Sequence, residues 1–383
     1  MVVVGADVHK RTHTFVAVNE VGQQLGELRV SADGKGHAKA LRWARQQFPG
    51  ERRWGIEDCR HLSARLERDL LTGGESVVRV PPKLMAQTRA SARTRGKSDP
   101  IDALAVARAV LREPDLPVAA HDELSRELKL LVDRREDLVG ERTRMINRLR
   151  WHLHELDPSV DPSPTSLNRA KTRAELSEQL ARHDGLVAEL ARDILADIDR
   201  ITQVINALQT RISHRVEEQA AGLIGLPGCG ALTAAKIMGE TAGIDRFRSE
   251  ACYARHAGVA PIPVWSGNTA GRVRMSRAGN RQLNCALHRI AVTQTHLDGE
   301  GRRYYRKRLL AGDSKTEALR CLKRRLARVV FQTLKSNVQH DTGYQPAAAS
   351  HRRNTCSWPR CWTLRETNSM SGPRAPRGLR HER

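Results

Sequence analysis

Short apolar runs alternate with amphipathic stretches over the first eighty or so residues. Val2-Val3-Val4-Gly5-Ala6-Asp7-Val8 reads as a strand that ends in an acid, residues 14–18 as a second strand and residues 25–30 as a third. Asn19 to Gly22 supply turn chemistry between the second and third strands. Helical periodicity follows around residues 38–47. Residues 53–57 then return as a fourth strand, again ending in an acid, Glu57. A helix near residues 62–71 leads to a fifth strand at 76–80, closed by Pro81-Pro82. Three consecutive strands followed by strands alternating with helices predict a mixed α/β sheet rather than an all-parallel one. Residues 99–111 predict a further helix, with Ser98 as a cap and Pro100 in its first turn.

From about residue 121 to 216 the period lengthens to that of long helices. Leu124, Leu128, Leu131, Leu138, Met145, Leu149 and Leu156 form one stripe, and a second runs from Leu176 and Leu180 through Val187 and Leu190 to Ile212. The stretch Asp157-Pro158-Ser159-Val160-Asp161-Pro162-Ser163-Pro164 cannot remain helical, so the two stripes predict an antiparallel coiled-coil hairpin about a proline turn. Its seam predicts packing onto another subunit as well as onto itself. Leu226-Pro227-Gly228-Cys229-Gly230 places a glycine-rich turn before a small-residue helix. Such a turn suits either a helix-hairpin-helix element that offers backbone N–H groups to phosphate or a simple tight helix–helix turn. Helices recur at 279–294 and 316–334, and beyond about residue 338 the periodicity stops. The predicted organisation is an α/β domain over 1–115, a helical hairpin over 116–220, a basic, mainly α domain over 221–338 and a disordered basic tail over 339–383.

Charge sharpens this division. The 383 residues carry a net charge of +22, and the stretch 246–340 holds 20 Lys and Arg against 5 Asp and Glu. The tail from 341 adds 8 against 3, which leaves the first 245 residues nearly neutral. A neutral front and a strongly basic back predict a polyanionic partner, nucleic acid, for the C-terminal part. No run of about 18 apolar residues occurs, which excludes an ordinary membrane span. The N-terminus lacks a basic leader, and the odd number of cysteines, 7, is widely spaced, which together predict a cytoplasmic chain with reduced thiols. Cys356 and Cys361 lack a partner pair at metal spacing, so zinc is not expected.

Four acids stand at structural stations. Asp7 and Glu57 end strands one and four, which are neighbours in a ribonuclease-H-like sheet, and Asp99 and Asp102 lie one turn apart on one helix face. Clustered carboxylates repel unless cations neutralise them, and hard oxygen ligands suit Mg²⁺ or Mn²⁺. Two such ions about 4 Å apart clamp the attacking and leaving oxygens of a phosphodiester. Each acid taken singly is equally compatible with a surface residue or a helix cap. Arg79, Lys83, Arg89, Arg93, Arg95 and Lys97 approach Asp99 with no intervening acid and suit phosphates. In the basic block, Gly and Pro force a loop around Trp265-Ser266-Gly267, followed by Arg272, Arg274, Arg277 and Arg281. A serine needs activation to attack and cationic neighbours for the charge that develops. Composition alone does not separate Ser266 from Ser276.

Gly5-Ala6-Asp7-Val8-His9-Lys10, Gly55-Ile56-Glu57 and Lys97-Ser98-Asp99-Pro100-Ile101-Asp102-Ala103 together resemble the DEDD signature of the one-ten family of insertion-sequence transposases, which is related to Piv-type DNA invertases. The Leu226-Pro227-Gly228 turn, and Gly258 through Gly267 with Arg277-Ala278-Gly279-Asn280, resemble that family's C-terminal domain. The resemblance covers roughly residues 1–335 and implies a RuvC-like N-terminal domain, a coiled-coil middle and a C-terminal transposase domain. It further implies metal binding by Asp7, Glu57, Asp99 and Asp102, Ser266 as a nucleophile that forms a phosphoserine link to DNA, and sites shared between subunits of a dimer or tetramer. A structured noncoding RNA that pairs with donor and target DNA is also implied. Family members often carry two serines before the glycine, whereas Trp265 fills the first of those places here. The rival readings are a Piv-like invertase, a metal-only junction nuclease using water, and a non-enzymatic basic architectural protein.

Overall fold

A computed structural model describes residues 1–57, 60–90, 98–113, 116, 118–120, 122–264, 266–267, 273–275 and 279–341. Its N-terminal part is a five-stranded sheet. β1 (Val2–Val8), β2 (Thr12–Val18) and β3 (Gln24–Ser31) form an antiparallel meander. The turn into β3 is set by Asn19, whose Oδ1 accepts from the amides of Val21 at 3.2 Å and Gln23 at 2.9 Å, with Gly22 at a φ of +78°. After α1 (Gly34–Gln47), β4 (Arg52–Glu57) joins the free side of β1 in parallel. After α2 (Arg60–Thr72), β5 (Ser76–Val80) joins β4 in parallel, so the order is β3-β2-β1-β4-β5. The mixed α/β sheet expected from the sequence is therefore the one formed, with strand one beside strand four.

Helices cover both faces, which is why β1 reads as a nearly continuous apolar run. Val4, Ala6, Val8, Phe15 and Trp54 face a core completed by Ala40, Ala44, Leu66 and Leu70 of α1 and α2. Val3, Val16, Val78 and Val80 face the other core, formed with α3 (Pro82–Ala90) and α4 (Asp99–Arg112) through Met85, Ala103, Val106, Ala107 and Val110. α4 begins where the sequence places it. Pro100 lies in its first turn and Ser98 at the N-cap, but Ser98 makes no capping bond through its side chain.

The remainder is mostly helical. α5 (Glu123–Leu156) is followed by a single 3₁₀ turn, α6 (Ala170–Leu180) and α7 (Leu186–Gln219). α5 and α7 run antiparallel: Glu127 pairs with Arg211 at 2.7 Å, and Arg142 donates to Thr202 at 3.2 Å. The second apolar stripe is not one helix, as its spacing predicts, but breaks between Leu180 and Leu186. Gly185 adopts a φ of +98°, and Arg192 donates to the carbonyls of Leu180 and His183, both at 2.9 Å, which satisfies the end of α6.

The C-terminal part contains α8 (Ala221–Ile224), α9 (Ala231–Thr241), α10 (Glu250–His256), β6 (Pro261–Pro263), β7 (Val273–Met275), α11 (Arg281–His296), α12 (Glu300–Leu310) and α13 (Lys315–Asp341). β6 and β7 form a short antiparallel ribbon. The core here includes Leu128 and Leu131 of α5 and Ile212 and Val216 of α7, so the root of the long helix pair is built into this unit. The glycine-rich turn before α9 packs on α11: Gln294 donates to the Pro227 carbonyl at 2.8 Å, and Gly228 lies against Thr293. The helix before that turn, α8, has four residues. α13 continues to Asp341, past the point where the apolar pattern stops, and residues 342–383 lie outside the described residues. No helix among the described residues is long and apolar enough to cross a membrane.

Candidate metal centre and nucleic-acid interface

The site begins with two glycines. Gly5 of β1 and Gly55 of β4 are paired in register, and each precedes an acid by two positions. Strand residues two apart share a face, so Gly5 and Asp7 look the same way, as do Gly55 and Glu57. That face is the one α4 covers. A Cβ on Gly5 would lie 2.1 Å from the Ala103 carbonyl oxygen and 2.5 Å from the Ala107 nitrogen, and one on Gly55 would lie 2.5 Å from Val110 Cγ2. Gly5 is thus a seat into which the helix backbone sinks, and Gly55 beside it makes room for the Val106 and Val110 side chains. Ala103, Val106 and Ala107 keep the helix side of that contact small. With α4 seated this way, its first turn, carrying Asp99 and Asp102, reaches the C-terminal end of β1.

Asp7, His9 and Asp99 come together there. The His9 Nε2 atom lies 3.0 Å from Asp7 Oδ2 and 3.4 Å from Asp99 Oδ1, and one ligand atom from each of the three residues lies within 4.8 Å of the others. The second Asp99 oxygen lies 3.8 Å from Arg29 Nη2 of β3. Asp7 is buried, and Asp102 is buried on the same helix face as Asp99. Burial is the largest influence on Asp7 and pushes its carboxyl above the usual range; His9 opposes this, while the charges of Asp102 and Asp99 reinforce it. Glu57 stands one position beyond the Ala6–Ile56 pair of the parallel ladder, beside Asp7 in register. Three carboxylates coupled at one strand end, with an imidazole between two of them, are a donor set that fits a divalent cation.

The remaining sequence candidates are distributed differently. Ser266 is exposed in the connection between β6 and β7, ahead of Gly267 at a φ of +43°. It is carried by a different part of the chain from the carboxylates. Arg274 on β7 and Arg281 at the start of α11 are exposed. Arg93, Arg95, Lys97, Arg272, Arg277 and Ser276 lie outside the described residues, as does the side chain of Arg89. Arg79, which begins the basic run, is engaged with Glu67 through two hydrogen bonds at 2.7 and 2.6 Å.

Sequence reasoning passed over His9, Arg29 and the glycine seat. His9 follows Asp7 by two positions at a strand end, and the repeated Gly-x-acid at 5–7 and 55–57 was the available signal for the seat. Nothing local marks Arg29, because its approach to Asp99 depends on how β3 and α4 are placed.

Residues 4–158 match the DEDD transposase profile of the IS110 group, and residues 220–306 match the transposase IS116/IS110/IS902 family. The protein of insertion element IS116 from Streptomyces clavuligerus is 27% identical over 87% of this chain and 94% of its own length. The protein of insertion element IS900 from Mycobacterium paratuberculosis is 27% identical over 90% and 98%. A RuvC structure from Thermus thermophilus aligns with a TM-score of 0.24 and 18% identity, over 30% of this chain and 98% of that one.

Proposed function

Because the chain belongs to the IS116/IS110/IS902 family of transposases, we propose that it mobilises an insertion element by cutting and rejoining DNA strands, with Ser266 as the nucleophile and Asp7, Glu57, Asp99 and Asp102 as a site for Mg²⁺ or Mn²⁺. The observation that carries this reading is the meeting of Asp7 and Asp99, from distant parts of the N-terminal sequence, with ligand atoms within 4.8 Å. Divalent cations held there by these carboxylates would neutralise them and would polarise a phosphodiester oxygen. The Ser266 hydroxyl attacks phosphorus as the bond from phosphorus to one deoxyribose oxygen breaks. A P–O bond to serine forms, and the departing oxygen leaves with a proton. Attack by the deoxyribose hydroxyl of a new DNA end reverses these steps, restores a diester and frees the serine. Arg274 and Arg281, both exposed, support this reading by offering charge to the phosphates. Arg89, Arg93, Arg95, Lys97, Arg272 and Arg277 extend the same proposed surface.

The resemblance also leads us to include a structured noncoding RNA guide, which chooses donor and target DNA by base pairing, and a dimer or tetramer in which carboxylates and serine come from different subunits. A discrete RNA that copurifies with the expressed element, drawn from its flanking noncoding DNA, is the expected result for the guide. Mixing an Asp7→Ala chain with a Ser266→Ala chain should restore activity if sites are shared. No recovery, once mixed oligomers are shown to form, would place each site within one chain. For the chemistry, a supercoiled plasmid carrying the element ends should be cut by the wild type and by neither variant, with labelled phosphate appearing on a Ser266 peptide. Cleavage that persists in Ser266→Ala but is lost in Asp7→Ala would assign hydrolysis by water and end the serine mechanism.

A further inference from the structure

We infer that His9 is itself a metal ligand, and that its imidazole nitrogen gives the carboxylate centre a preference for Mn²⁺ over Mg²⁺. This rests on the proposed metal site and deepens it. His9 Nε2 is the atom shared by the two carboxylates, at 3.0 Å from Asp7 and 3.4 Å from Asp99, and all three ligand atoms fall within 4.8 Å of one another. The His9 amide donates to the Thr12 carbonyl at 3.1 Å, which closes the tight turn from β1 into β2 and fixes the backbone two residues beyond Asp7. The half-exposed ring can therefore meet a cation arriving from solvent at the same place as the Asp7 and Asp99 oxygens.

The chemistry of the donor set then decides the metal. Mg²⁺ is hard, binds oxygen and gives up water reluctantly, so an imidazole is a poor replacement for one of its waters. Mn²⁺ accepts oxygen ligands too, and as a softer transition-metal ion with a less tightly held water shell it also takes an imidazole nitrogen more readily than Mg²⁺ does. An imidazole nitrogen adds a ligand without adding negative charge to a centre where the Asp7 and Asp99 carboxylates already meet. The alternative is that His9 acts only as a hydrogen-bonding spacer between the acids and turns away when a cation binds.

The test uses the full-length chain with Mn²⁺ as the probe. Electron paramagnetic resonance titration measures whether Mn²⁺ binds, and electron spin echo envelope modulation on protein labelled with ¹⁵N-histidine asks whether an imidazole nitrogen coordinates it. We expect directly coordinated ¹⁵N in the wild type and its loss in His9→Gln. Mn²⁺ affinity should fall about tenfold or more in that variant, while Mg²⁺ affinity, read by competition, should change less than about twofold. Mn²⁺ bound to the wild type without coordinated histidine nitrogen, or with a nitrogen signal that survives in His9→Gln, would overturn the role of His9 and leave the carboxylate site standing. No Mn²⁺ binding to the wild type would overturn both. The labelled wild type alone decides the question should His9→Gln fail to fold.

Discussion

Lowering the pH should loosen the N-terminal sheet through one residue, His13 of β2. Its ring is 2% exposed, stacks on His37 with centroids 5.2 Å apart, and meets the edge of Phe15 at 6.3 Å. Its Nδ1 atom is buried with no hydrogen-bond partner among the described residues. Burial, and then the neighbouring His37, push the His13 pKa down from its ordinary 6.5 to about 4. Because the folded value is the lower one, the unfolded chain binds the extra proton first. The stabilisation is complete above 6.5 and is lost as the pH falls from there towards about 4. Over that whole interval the loss is about 3 kcal/mol, and most of it, roughly 2 kcal/mol or a rise in sheet opening on the order of tens of fold, falls between pH 7 and about pH 4.5. Hydrogen exchange of the full-length chain, followed by mass spectrometry on peptides from β1 and β2 and corrected for intrinsic rates, reads this opening directly. Other groups titrate in the same range, so the informative quantity is the pH slope of the wild type minus that of His13→Gln. Equal slopes in the two proteins would refute the argument that a buried, neutral His13 carries this dependence.

Further outcomes concern the site and the basic half. Gly5→Ala forces a Cβ to within 2.1 Å of the Ala103 carbonyl, so α4 must lift; we expect about 2 kcal/mol of lost stability and weaker Mn²⁺ binding, measured by thermal shift with and without metal. Glu240 is buried and accepts from Lys129 at 2.8 Å and Asn280 at 2.7 Å; Lys129 keeps Asp133 as a partner, so Glu240→Ala should cost about 2 kcal/mol chiefly by leaving the buried Asn280 amide without its acceptor, checked by urea unfolding. For DNA binding, replacing Arg274 and Arg281 with Ala should lower the slope of log affinity against log salt by about 2, if each contacts one phosphate. An unchanged slope would remove these two residues from the interface.

The strands were legible because each is short, apolar and bounded by turn chemistry, and because an acid marks the ends of β1 and β4. The start of α4 was legible from Ser98, Pro100 and the spacing of Asp99 to Asp102, even though the Ser98 side chain does not cap. The helix break at Gly185 was not, since apolar residues continue at helical steps on both sides, and the deciding hydrogen bonds come from Arg192 further along the chain. The β6–β7 ribbon was missed for a related reason. Its strands have three residues each, and two of those in β6 are prolines, which argue against an internal strand. In the site, residue types could be read but partners could not: His9, Arg29 and Asp99 meet through the placement of three separate elements.

One feature of the sequence accounts for much of that placement. A helix packed on a sheet through ordinary side chains is held off by the length of those side chains, which keeps its first-turn carboxylates further from acids at the strand ends. Gly5 and Gly55, side by side in register, remove the two side chains in the way, so that the backbone of α4 descends onto Gly5 and its Val106 and Val110 side chains onto Gly55. Each glycine lies two residues before an acid, so the same strand face that admits the helix also presents the carboxylate. The seat and the site are therefore a single device. Filling either glycine should move Asp99 and Asp102 away from Asp7 without touching a candidate ligand, and loss of metal binding in Gly55→Ala, whose Cβ would strike Val110 far from the carboxylates, would show that the depth of the helix sets the site.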